Sequence, residues 1–118
     1  MATFTKAHLS GAADGLAVKI AATGTTGTTV HTASSSTSAG EFSEVFCWAT
    51  NTSAASVQLT IEWGTTTAAD GNIIVTVPPK EGLMLVGPGL ILHNSKVITA
   101  FAAQADVILM VGYANEIA

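Results

Sequence analysis

The stretch SVQLTIEW, Ser56 to Trp63, alternates without a break: Val57, Leu59, Ile61 and Trp63 are apolar, and Ser56, Gln58, Thr60 and Glu62 between them are polar. A period of two is the signature of a β-strand with one face on a core and the other on water. Working back toward the N-terminus, Glu41 to Thr50 sets Phe42, Phe46 and Trp48 on one face and Val45, Cys47 and Ala49 on the other. Both faces are apolar over its second half, so this strand is expected to be covered on both sides. The link NTSAA (51–55) has the Asn and small polar residues of a short hairpin connection, and the two strands are expected to form an antiparallel pair.

Further strands are indicated at Leu16 to Ala22 and at Thr28 to Thr32. The Asp70-Gly71 turn signal is followed by the alternating residues Ile73, Val75 and Val77, and Pro78-Pro79 ends that run because neither residue donates to a ladder. Two short apolar runs, Leu83 to Val86 and Leu90 to Leu92, flank Gly87-Pro88-Gly89, and the last two strands are expected over Lys96 to Ala103 and Val107 to Ala114. Eight or nine short strands and no amphipathic helix indicate an all-β fold, an antiparallel β-sandwich or its jelly-roll form. Residues 1–15 are expected to be an N-terminal arm or first turn, and residues 16–118 a single sandwich domain. TASSSTSAG (32–40) reads as a surface loop.

Charged residues make up only 10% of the 118 residues, against about 25% in an ordinary domain, and Thr, Ser, Ala and Gly take their place. A neutral exterior of small residues is cheap to desolvate and suits contact with other protein. Four dispersed lysines, no arginine and a net charge of −4 leave no basic face, so no nucleic-acid partner is expected. The apolar segment Leu83 to Leu92 is broken by Gly-Pro-Gly and falls short of the ~18 residues of a membrane helix, so no membrane partner is expected either. The opening MATFTKAHLSG has no continuous hydrophobic stretch, and no secretory signal is expected. Cys47, the single cysteine, reads as a small buried apolar residue.

No catalytic pattern emerges, so the chain is not expected to be an enzyme, and no cofactor or metal is expected. His8, His31 and His93 lie on different segments without ligand spacing. Glu41 and Glu44, three apart on a strand, point to opposite faces and make no carboxylate pair. GTTGTT has no lysine and no following helix, and no G-x-S-x-G elbow occurs. A small hydrolase would require the three histidines and an acid to converge. Phe42, Phe46, Trp48 and Trp63 are expected to supply the densest part of the core, the rival being an aromatic platform for sugars.

From Asn51 to Ala118 the chain resembles small Thr/Ala/Gly-rich structural proteins of tailed bacteriophages. The resemblance rests on the LTIEWG strand, the P-x-x-GL-x-LV-x-PGL-x-L segment and the VGYANEI ending. It implies a virion component on the capsid surface: a decoration (cement) protein that stabilises the head by bridging neighbouring capsid subunits. It further implies the major capsid protein as partner and a homo-oligomer, a trimer, made in the host cytoplasm. A tail or fibre module binding a host glycan or receptor is the alternative. Symmetric assembly multiplies one patch over every copy, and the candidate interface residues are Phe4 and Leu9 of the arm, Leu83, Leu85 and Leu90, and Ile108 and Met110 of the final strand.

Overall fold

A computed structural model describes residues 3–118. Among the described residues nine strands are present: β1 (Phe4–His8), β2 (Val18–Lys19), β3 (Thr28–Thr32), β4 (Phe42–Asn51), β5 (Val57–Trp63), β6 (Asn72–Val77), β7 (Met84–Leu92), β8 (Val97–Ala102) and β9 (Ile108–Ile117). The first sheet has the order β1-β9-β4-β7, with β2 also on β9, and the second has the order β3-β8-β5-β6. All pairings are antiparallel, no helix occurs among the described residues, and the architecture is that of a β-sandwich, as the periodicity predicts.

The core lies between the two inner faces. Val45, Cys47 and Ala49 of β4 and Ile108, Met110 and Ala114 of β9 come from the first sheet; Leu59 and Ile61 of β5 and Ile98 and Ala100 of β8 come from the second. Each of the large side chains contributes roughly 1.5–3 kcal/mol by leaving water. Short side chains on the β4 face leave room for the long ones opposite, which is how interior packing reaches its density.

Three expectations about the strands are corrected. β4 and β5 do not pair: one belongs to each sheet. The reason is Asn51, a buried corner instead of a hairpin residue. Its amide donates to Ala55 O (2.8 Å) and Val77 O (2.9 Å), while its Oδ1 accepts from Ser53 N (2.9 Å) and Ser53 Oγ (2.7 Å). With every polar group of the side chain satisfied, the chain crosses from one sheet to the other at this point.

Residues 1–15 do not form a separate arm over their described part. Phe4–His8 pairs in continuous register with β9, from Phe4 opposite Ile117 to His8 opposite Tyr113, and Leu9 is fully buried in the core. The two apolar runs around Gly87-Pro88-Gly89 are one strand, β7, which slips register against β4 between Val45 and Phe46 and again between Cys47 and Trp48. Pro88 is tolerated because β7 is an edge strand, where a missing N–H breaks no ladder. Gly87 is required there, since a Cβ would sit 2.5 Å from Cys47 Sγ.

Candidate interaction surface

On β4 the residues alternate strictly: Ser43, Val45, Cys47, Ala49 and Asn51 are buried, while Phe42, Glu44, Phe46, Trp48 and Thr50 are only half-buried. The bulky residues therefore point out of the sandwich. Residues opposite each other in a ladder share a face, so the register carries this outer face across the sheet. On β9 it continues through Leu109, Val111, Tyr113, Asn115 and Ile117, on β1 through Phe4, Lys6 and His8, and on β7 through Leu85, Pro88 and Ile91.

An aromatic cluster stands at its centre. Phe46 stacks on Tyr113 with ring centroids 5.1 Å apart, Trp48 tilts toward the same ring at 6.3 Å, and Lys6 Nζ sits 4.4 Å over the Tyr113 centroid. Such pairs gain about 0.5–1.5 kcal/mol beyond their buried area, and the cation adds a further attraction to the ring face. Gly89 makes this possible: with φ +90° it takes a left-handed turn inside β7, and a Cβ there would stand 2.8 Å from Phe46 Cζ.

At the margins the face is open. Phe4 is 71% exposed, Leu85 50% and Ile91 53%. The few polar groups on it include Lys6, Glu44 and Asn115, and the Asn115 amide donates to Glu44 Oε1 at 3.1 Å. A hollow bounded by Ala39, Phe42, Ile91, Leu92 and His93 continues the apolar surface at one end.

The residues expected at an interface divide. Phe4, Leu83, Leu85 and Leu90 are exposed. Leu9, Ile108 and Met110 have no accessible surface, because they project between the sheets, so as interface candidates they are corrected to core residues. On β9 it is the opposite set, Leu109, Val111 and Tyr113, that faces outward. Phe42, Phe46 and Trp48 are likewise corrected from core to outer face, and Trp63 packs at the core's edge, partly buried. Alternation was legible in both strands; the choice of inward face was not.

Two polar networks tie elements of the fold together. Glu62, expected in water, is 1% exposed because residues 21–27 fold across the outer face of the second sheet. Its carboxylate accepts from Thr99 Oγ1 (2.6 Å), Gly27 N (2.8 Å) and Thr25 Oγ1 (2.8 Å). Burial pushes this carboxyl up, but the three hydrogen bonds together outweigh it and hold the group below the usual carboxylate range. Burial also drives the Cys47 thiol up to about 11.

A second network joins the sheets. Ser10 N donates to His31 Nδ1 (3.0 Å), which leaves the ring proton on Nε2 for Glu116 Oε1 (3.0 Å), and Ser43 Oγ donates to the other oxygen of Glu116. Serine here bonds the acid and not the imidazole, so the order of a nucleophilic relay is missing. His8 bonds the adjacent Leu9 carbonyl, and His93 Nδ1 lies 3.3 Å from both Ser38 O and Glu41 O. The three histidines do not converge, and no group of three metal-ligating side chains occurs among the described residues. Comparison with protein-family models, with curated proteins and with solved structures returned no match.

Proposed function

We propose that this chain is a virion structural protein, a capsid decoration protein that stabilises a phage head by bridging neighbouring capsid subunits. The observation that carries the reading is the apolar outer face of the first sheet, on a chain with only 10% charged residues. A β-sandwich needs one apolar face per sheet, and this sheet has two. Contiguous apolar surface outside the core marks contact with another molecule, and the charge-poor exterior suits protein as that molecule. The resemblance of Asn51 to Ala118 supplies the setting, a phage particle with the major capsid protein as partner.

The glycan-binding alternative draws on the outward aromatics. A sugar site needs hydrogen-bonding groups placed around its ring platform, whereas Phe46, Trp48 and Tyr113 are bordered by Leu85, Pro88 and Val111, with Lys6 and His8 on one side of Tyr113 only. That border favours protein contact. Labelling the protein in intact particles tests the reading directly: density on the head surface, with heat resistance falling when the protein is stripped, is the expected result. Density on the tail, or particles equally stable without it, refutes the cement role.

A further inference from the structure

We propose that the outer face of the first sheet is an interface between two copies of this chain, packed face to face about a twofold axis that runs along β9. This goes beyond the virion reading but concerns the same face: where two copies cover it, contact with a capsid falls to the remaining surface of the dimer.

The argument starts from the rows of the sheet. Phe4, Ile117 and Phe42 occupy one row; Lys6, Asn115 and Glu44 the next; His8, Tyr113 and Phe46 the third. β1 and β4 flank β9 on either side. A twofold axis over β9 and parallel to it exchanges the two flanks, so β4 of one copy lies over β1 of the other. Phe42 then meets Phe4, Glu44 meets Lys6, and Phe46 meets His8, each contact occurring twice. Aromatic faces aromatic and acid faces base, while on β9 Val111 and Tyr113 pack about the axis.

Charge supports the same register. Glu44 receives one hydrogen bond, from Asn115, and among the described residues Lys6 has no carboxylate within ion-pair distance and rests over Tyr113. A second copy supplies each with its missing opposite. A twofold axis along β4 instead would oppose Glu44 to Glu44, which like-charge repulsion disfavours.

Size supports it too. β4 and β9 with ten residues each, and β1 and β2 with seven between them on the far edge of β9, spaced about 4.8 Å apart at about 3.3 Å per residue, give a footprint of roughly 430 Å² per copy. The pair thus removes roughly 850 Å² from water, the low end of the range, where weak and reversible contacts lie. Such an area fits a dimer that dissociates on dilution.

Sedimentation of the whole chain over a hundredfold concentration range tests this. The expected result is a reversible rise from 11.9 kDa to twice that mass. K6E or E44K alone should raise the dissociation constant at least tenfold, and the double exchange K6E/E44K should restore it. V111E should give monomers that keep the native far-ultraviolet spectrum. A monomer or trimer at every concentration, or a dimer indifferent to K6E and E44K singly and to V111E, overturns the proposal. Monomers that still bind phage heads refute the dimer and leave the decoration reading intact; dimers that obey the charge exchange but bind no particle do the reverse.

Discussion

Replacing Glu62 by alanine takes away the acceptor shared by Thr99 Oγ1, Gly27 N and Thr25 Oγ1. The three donors do not lose equally. Thr25 is exposed and finds water, Gly27 is half-buried, and Thr99 is only 5% exposed, so its hydroxyl is left without a partner. A buried donor deprived of its acceptor costs about 1–3 kcal/mol, more when the lost acceptor was charged. Removing the carboxylate also removes its own desolvation cost, which offsets part of that loss. A net destabilisation of about 1–3 kcal/mol is expected for E62A, against a total near 5–15 kcal/mol for a domain of this kind. E62Q keeps one acceptor oxygen and should lose about 1 kcal/mol.

The pH dependence gives a second readout. The folded carboxyl ionises below its unfolded value, so ionisation stabilises the fold above the unfolded pKa, near 4.5. That contribution disappears as pH falls through the lower folded value. Urea unfolding of the wild type and E62Q should therefore differ most near neutrality and converge under acid. An E62A protein within about 0.5 kcal/mol of wild type at pH 7, or a wild-type advantage over E62Q that grows on acidification, would refute the reasoning.

Cys47, buried with its thiol raised to about 11, should resist thiol reagents in the native protein and react at once in urea; rapid native labelling would contradict its burial. G112A should be severely destabilised, by about 3 kcal/mol or more, because a Cβ at Gly112 would stand 2.0 Å from Phe46 O and 2.8 Å from Cys47 Cα, both backbone atoms; a folded variant with unchanged melting temperature would show the strands further apart than described. H31A leaves Glu116 without its imidazole donor and Ser10 N without its acceptor, and a loss of about 2–3 kcal/mol in chemical denaturation is expected. Stability equal to wild type would show that the link between the sheets at this end contributes nothing.

Strand positions were largely legible because alternation at period two survives any tertiary arrangement. SVQLTIEW is β5 over Val57–Trp63, and the turn and proline signals bound β6. The N-terminal residues misled because Phe4 and Leu9 stand among small polar neighbours. What orders them is the free edge of β9, a strand more than a hundred residues away. The role of Asn51 was hidden for the same reason: hairpin and corner use the same residue type, and only its bond to the Val77 carbonyl tells them apart.

Taken alone, the sequence determined an all-β chain of eight or nine short strands, a neutral exterior and the positions of most of its turns, since each depends on local backbone preference and composition. It also determined that β4 and β9 are apolar on both faces. Which face turns inward was settled only by the opposing sheet. Leu59, Ile61 and Ile98 fill the space between the sheets, so the small side chains of β4 are drawn inward and its aromatic rings are left outside. Close packing is a property of two surfaces together, and a single strand's pattern contains only one of them.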